Sequence, residues 1–135
     1  MIANIWRRMP SFYNLEGSKC SKCTELCFPN SMVCKKCGST EMGPFQFSGK
    51  GTVETYTIIR QPFNEESIHE KLVLANPYII SIIRLEEGPM ITAQITDLDE
   101  KEVKMGMKVT AVLRKISEDG EDGIIRYGYK FIPQN

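Results

Sequence analysis

The order of hydrophobic and polar positions divides the chain near Gly51. After this glycine, branched aliphatic and aromatic residues recur in short runs that are bounded by glycine, proline and acidic residues. Such runs are typical of β-strands with one buried face. They predict five strands, over residues 51–60, 78–85, 90–95, 107–114 and 124–131.

The five predicted strands indicate a mainly β fold. The first is long, rich in Thr, Val and Ile, and begins with Gly51, which allows a strand to bend. Five short antiparallel strands of this kind fit a closed barrel of the oligonucleotide/oligosaccharide-binding (OB) type. A β-sandwich is the competing fold, but five strands are few for it. We therefore expect a five-stranded OB-fold barrel over residues 44–135.

The N-terminal segment has a helical period instead. Four apolar residues follow the spacing i, i+3, i+4, i+7: Ile2, Ile5, Trp6 and Met9. This spacing predicts a short amphipathic helix that ends at Pro10. A helix this short needs a surface to pack on. That surface belongs either to its own domain or to a partner protein, and both interpretations stay open.

Four of the five cysteines between these parts form two Cys-x-x-Cys motifs. They are Cys20, Cys23, Cys34 and Cys37. Two such turns joined by a short hairpin bring four sulfurs to the corners of a tetrahedron, the arrangement of a structural zinc site. We expect a rubredoxin-like zinc ribbon over residues 17–43 that holds one structural Zn²⁺, with iron as the competing metal. Residues 1–16 then form the N-terminal helix and lead-in.

Details of the predicted ribbon concern three further residues. A hairpin strand is predicted over residues 26–28, where Cys27 is interpreted as a small buried hydrophobic residue. Gly38 directly follows the second motif, where a positive φ is often required. Thr24 holds the matching place after the first motif, so the two turns need not be alike.

The sequence does not favour catalysis. Four thiolates close a zinc tetrahedron, whereas a catalytic zinc keeps one position open. Two redox dithiols would be expected at strand-to-helix junctions and not together in one small polar segment. His69 is the only histidine, so a nucleophile with a histidine base could be built only around it. We expect a protein that is not an enzyme.

Charge and hydropathy limit the classes of partner that the sequence favours. Lys and Arg number 17 and Asp and Glu number 17, so no global field attracts nucleic acid. The second and third predicted strands offer only Tyr78 and Arg84 for stacking and cationic contacts, which disfavours a single-strand binder. No apolar run approaches the roughly 20 residues that span a membrane. Free thiols in metal spacing suit a cytoplasmic protein.

The segment 61–77 lies between the first two barrel strands and is too long for a hairpin turn. Loops of this length are uncommon without a function. The segment is interpreted either as a contact surface or as a plain surface loop.

Several short motifs occur in the order that is typical of a known protein family, and they extend over nearly the whole chain. Besides both cysteine motifs, they lie at residues 13–20, 28–29, 51–57, 76–78, 85–88, 106–109 and 129–133. The chain resembles the small zinc-ribbon plus OB-fold proteins, long catalogued as a domain of unknown function, that associate with acyl-CoA enzymes, chiefly thiolases. Thr24 and Asn30 depart from the family pattern, where glycine and a second proline are common.

The resemblance implies a noncatalytic subunit. The chain is similar to the archaeal type that bridges acetoacetyl-CoA thiolase and hydroxymethylglutaryl-CoA synthase in the mevalonate pathway, so that the intermediate passes between them. Coenzyme A itself is a possible contact, through Arg60 or Lys71. The residue types that dominate interface energetics occur near the N-terminus. They are Trp6, Arg7, Arg8, Phe12 and Tyr13.

Overall fold

One helix and eight strands make up the part of the chain that this computed structural model describes, residues 2–60 and 77–134. The helix α1 spans Ile2–Asn14. The strands are β1 Glu16–Cys20, β2 Leu26–Cys27, β3 Met42–Gln46, β4 Lys50–Ile59, β5 Tyr78–Leu85, β6 Met90–Ile95, β7 Lys108–Glu118 and β8 Ile125–Pro133. They form a three-stranded sheet and a closed barrel, which confirms the mainly β prediction.

The barrel contains strands β4 to β8 in the order β4-β5-β6-β8-β7, and β7 pairs back onto β4. Neighbouring strands are antiparallel except β6 and β8, which run parallel where Ile95 faces Phe131. This arrangement confirms the expected five-stranded OB-type barrel. Strands β5 and β6 have the predicted bounds, whereas β7 and β8 both run beyond the predicted ends.

The core of the barrel follows the two-residue period of its strands. The buried side chains of β5 are Ile79, Ser81, Ile83 and Leu85. Ser81 is polar, but its hydroxyl donates to the carbonyl oxygen of Ala93 at 3.2 Å, so it is buried with a partner. Other strands and the turn before β7 complete the core with Val53, Ile91, Ile95, Val103, Val109 and Phe131.

Strand β4 pairs with β5 on one side and with β7 on the other. A shift of register between Val53 and Thr55 marks a bulge against β5. A Cβ at Gly51 would lie 2.6 Å from the Ile83 Cγ2 atom and 2.8 Å from the carbonyl oxygen of Arg84. Glycine is therefore required at this position of β4, because any side chain would collide with β5.

The second sheet has the order β2-β1-β3, and it contains the predicted hairpin strand as β2. The sequence pattern does not predict β1 or β3, because β1 has no apolar alternation and β3 contains Gly43 and Pro44. Proline is tolerated there because β3 is an edge strand. The expected boundary between residues 43 and 44 falls inside β3, and the three-part division of the chain stays a prediction.

The predicted end of the helix at Pro10 is wrong, because α1 continues through it to Asn14. Proline removes one helical hydrogen bond, but α1 packs against β1 and β8, and this packing keeps the last turn helical. The residue after the helix, Leu15, has a φ of 52° and a buried side chain. The Ser11 hydroxyl stabilises this end by donating to the carbonyl oxygen of Glu16 at 2.9 Å.

Predictions for the segment 61–77, including His69 and Lys71, lie outside the described residues apart from Pro77. Within residues 2–60 and 77–134, no helix has the length and apolar character needed to cross a membrane.

Candidate metal centre and partner surface

The four cysteines of the two motifs come together at one end of the small sheet. Their Sγ atoms all lie within 4.8 Å of one another. The Sγ atoms of Cys20 and Cys37 are 3.6 Å apart, and those of Cys23 and Cys34 are 3.5 Å apart. Zinc–sulfur bonds of about 2.3 Å in a tetrahedron require sulfurs about 3.8 Å apart. The cluster therefore fits a single tetrahedral metal ion and is compatible with a zinc ribbon.

Matching backbone hydrogen bonds shape the two cysteine turns. The N–H of Thr24 donates to the carbonyl oxygen of Cys20, and the N–H of Gly38 donates to that of Cys34, each at 3.0 Å. Thr24 has a φ of 60° and Gly38 a φ of 70°. The positive φ expected at Gly38 is confirmed, and the two turns are alike in spite of their different sequences. Thr24 adopts a left-handed conformation that a β-branched residue rarely takes.

Backbone N–H groups make the cluster electrostatically suited to thiolates. The N–H groups of Cys37 and Lys36 hold the pKa of the Cys34 thiol at about 6. The N–H of Cys23 lowers the pKa of the Cys20 thiol in the same way. Thiolates this close repel each other, so the four thiols do not all ionise without a counter-charge. A divalent cation would supply that charge, because a metal ion deprotonates the thiols that coordinate it.

Cys27 lies on β2 and is not one of the four clustered cysteines. Its side chain is buried, as predicted. The register places it opposite Ser18 of β1, whose buried hydroxyl accepts a hydrogen bond from the N–H of Ser31 at 3.0 Å. Sequence reasoning did not single out Ser18, which ties β1 to the loop that leads to the second cysteine turn.

A chain of aromatic rings, which we call the aromatic cluster, joins the ribbon to the barrel. Its members are Phe28, Phe45, Phe47, Tyr129 and Phe131. Phe28 contacts Phe47 and Tyr129 edge to face, with ring centroids 5.9 and 6.0 Å apart. Such pairs stabilise a contact beyond the area they bury. The sequence pattern did not predict this cluster. The one indication of it in the sequence is that aromatic residues occur on both sides of the boundary between ribbon and barrel.

The residues proposed for partner contact near the N-terminus are exposed. Trp6 keeps 69% of its surface accessible, and Phe12 and Tyr13 are also exposed. Arg7 and Arg8 lie on the same helix and are exposed as well. Large apolar side chains left in solvent are typical of surfaces that bind another molecule.

Arg60 and Arg84, the cations considered for phosphate or nucleic-acid contacts that lie within the described residues, are ion-paired. Arg60 binds Glu100 at 3.2 Å, and Arg84 binds Glu54 at 2.7 Å. Tyr78 is half-buried. Arg60 and Arg84 therefore belong neither to the cysteine cluster nor to a shared anion site.

Comparison with known proteins first identifies the class. Residues 46–114 match the family model described as ChsH2, C-terminal OB-fold domain, so the barrel belongs to that class of OB-fold. Two solved structures share the fold. The Ltp2-ChsH2(DUF35) aldolase aligns with a TM-score of 0.71 at 21% identity over 97% of this chain and 92% of that one. A protein of unknown function from the DUF35 family of Sulfolobus solfataricus aligns with a TM-score of 0.52 at 24% identity over 72% and 66%.

Sequence relatives then identify the family. A protein of Pyrococcus furiosus is 44% identical over 98% of this chain and 92% of its own length. Proteins of Methanothermobacter thermautotrophicus and Methanocaldococcus jannaschii are 40% and 42% identical over 96% and 98% of this chain, and over 93% and 91% of their own lengths. Each is named a DUF35 domain-containing scaffold protein. The chain belongs to the DUF35 family.

Proposed function

We propose that this protein is a noncatalytic scaffold subunit that bridges acetoacetyl-CoA thiolase and hydroxymethylglutaryl-CoA synthase in the cytoplasm. In this role it supports transfer of acetoacetyl-CoA between the two enzymes in the mevalonate pathway. The observation that carries the proposal is the identity of 40–44% along nearly the whole chain with proteins named as scaffolds. The exposed aromatic residues of α1 add a surface on which a partner can dock.

In this proposal the metal centre has a structural task. Cys20, Cys23, Cys34 and Cys37 would hold one Zn²⁺, and four thiolates leave no coordination position for a substrate. The ion would fix the two cysteine turns and, through β1 and the aromatic cluster, the position of the ribbon on the barrel. Elemental analysis of purified protein is expected to find one zinc per chain. Protein without metal, or with iron, would contradict the zinc assignment.

Co-purification tests the partners. A tagged form of the protein is expected to retain both the thiolase and the synthase, identified by mass spectrometry, at comparable amounts. Recovery of a different thiolase or another acyl-CoA enzyme would support an alternative scaffold role. The Ltp2-ChsH2(DUF35) aldolase, whose fold this chain shares, makes that alternative worth testing. If the purified chain binds neither enzyme but binds single-stranded nucleic acid or a small ligand, it is an independent OB-fold module.

Trp6→Ala tests the surface of α1. We expect the substitution to weaken enzyme association, because exposed tryptophans are often the residues that contribute most to an interface. Size-exclusion chromatography of the mixed proteins measures the complex directly. Met105→Ala is a matched control, since Met105 is 70% exposed and lies on the turn before β7. An unchanged complex with the Trp6 variant would contradict a docking role for this residue.

A further inference from the structure

A groove runs between α1, the loop after β2 and the outer surface of the barrel. We call it the helix groove, and its volume is about 770 Å³. The residues that matter for its chemistry are Arg7, Arg8, Phe12, Met32, Met90 and Tyr129. Three elements distant in sequence meet here, because the aromatic cluster holds the ribbon against the barrel. The groove is therefore a property of the assembled fold.

Both arginines of the groove lack an acidic partner among the described residues. The chain has six arginines, and Arg60, Arg84, Arg114 and Arg126 each form an ion pair. The remaining two, Arg7 and Arg8, form none within residues 2–60 and 77–134, and α1 contains no acidic residue. Arg8 instead lies over the ring of Phe12, with its Cζ atom 5.5 Å from the ring centroid. Both guanidinium groups, which have no acidic partner among residues 2–60 and 77–134, thus line the groove beside an apolar surface.

The shape and lining of the groove distinguish between a small ligand and a protein segment. Pockets for small ligands usually enclose most of the ligand surface. Here the walls are themselves exposed, since Met32 is 86% and Met90 is 54% accessible. Methionine side chains are flexible and adapt to the surface of a protein partner. Arginine is the residue best suited to forked hydrogen bonds with carboxylates at such an interface.

We propose that the helix groove binds a segment of a partner enzyme that combines apolar side chains with acidic ones. The apolar side chains would cover Phe12, Met32 and Met90, and the carboxylates would pair with Arg7 and Arg8. The proposal rests on the scaffold function proposed above, and it adds the chemistry of the partner and the place where it docks. It also explains why, among the described residues, Arg7 and Arg8 have no acidic partner while the other four arginines have one.

Charge reversal tests the proposal. The double variant Arg7→Glu/Arg8→Glu is expected to bind at least one of the two enzymes about tenfold more weakly or worse, because it replaces attraction with repulsion at a buried contact. Affinity is measured by calorimetry for the purified thiolase and synthase separately, at low and high salt. The matched control is Lys101→Glu/Lys104→Glu, which makes the same change of charge at exposed lysines before β7. The control is expected to bind both enzymes like wild type.

Two further variants separate docking from folding. Arg7→Lys/Arg8→Lys keeps the charge but loses the forked geometry, so intermediate affinity is expected. Met32→Asp/Met90→Asp places carboxylates in the groove and is expected to weaken the same enzyme. Zinc content and thermal unfolding of every variant should match wild type, because all four positions are on the surface.

The outcomes distinguish this proposal from the scaffold function. If wild type binds an enzyme and the Arg7→Glu/Arg8→Glu variant binds it equally well, the groove proposal is overturned and the scaffold function stands. If wild type binds neither enzyme, both are overturned. If enzyme binding is unaffected but coenzyme A shifts amide resonances of the groove in wild type and not in the variant, the occupant is a phosphorylated small molecule, which also overturns the proposal.

Discussion

The ribbon and the barrel are two small β-structures that the chain stabilises in different ways. In the barrel, most buried side chains are branched aliphatic or aromatic, and Ile83, Val109 and Phe131 are completely buried. In the ribbon, the buried hydrophobic residues are Cys20, Cys27 and Cys34. Apolar burial is a sufficient source of stability for the first but not for the second. We therefore expect the ribbon to depend on a metal ion at its four clustered cysteines, because its sheet has little other apolar surface to remove from water.

The aromatic cluster connects these two sources of stability. Phe28 belongs to the ribbon and Phe131 to the barrel, and the rings between them are in edge contact. The edge contacts of these rings cross the boundary between the two units. We therefore expect a metal ion and the apolar core to stabilise separate units, and the rings to fix how the units are arranged.

Cys34→Ser is expected to have the largest effect and to act on the ribbon alone. Losing one of four thiolates should abolish metal binding, whose apparent free energy in small zinc domains is roughly 10–16 kcal/mol. We expect zinc content to fall to background and the amides of β1, β2 and β3 to lose protection from hydrogen exchange, while β5 and β6 keep theirs. Exchange measured by mass spectrometry follows both units in one experiment.

Cys27→Ser is the matched control for that experiment. Cys27 is buried beside the cluster but is not one of the clustered cysteines, so its variant should keep the metal. Loss of protection in the barrel of the Cys34 variant would show that the metal stabilises both units, and would contradict a separate source of stability for each.

Phe131→Ala is expected to act on the barrel with a smaller effect. Truncation of a fully buried phenylalanine costs about 3–5 kcal/mol of unfolding free energy, through lost burial and the cavity that remains. Urea denaturation measures this loss. Tyr127→Ala, an exposed aromatic position on the same strand, should change the free energy of unfolding by less than about 0.5 kcal/mol. Both variants should retain zinc when folded; metal loss from the folded Phe131 variant would mean that the barrel core also shapes the cysteine site.

Regular patterns made much of the barrel predictable from sequence. Strands β5 and β6 are short, mainly apolar runs on either side of a turn that contains Glu86, Glu87 and Pro89, and their bounds are predicted without error. The four cysteines are predictable as a group because their spacing follows from the geometry of metal coordination. It does not depend on the sheet that surrounds them. The structure brings these four, and not Cys27, within reach of one metal ion.

Features that depend on tertiary contacts were not predictable. Strand β1 is defined by its two neighbours and carries no apolar alternation of its own. Helix α1 continues past Pro10 because it packs against β1 and β8. The residue that follows it with a positive φ is Leu15, whereas a glycine is the usual sequence signal for the end of a helix. The helix groove likewise joins residues from three elements whose proximity no local pattern reports.

Thr24→Gly is expected to have the smallest effect, and it should stabilise the ribbon. Threonine at a φ of 60° is strained by its Cβ, and glycine removes this strain at the cost of a more flexible unfolded chain. The balance should be a gain of about 0.5–1 kcal/mol, which a chelator competition measures as slower zinc loss. Gly38→Ala makes the reverse change at the equivalent place of the other turn, where φ is 70°, and should accelerate zinc loss. If both variants shift zinc loss in the same direction, the two turns do not contribute to metal retention through backbone strain, and their matching hydrogen bonds alone account for their likeness.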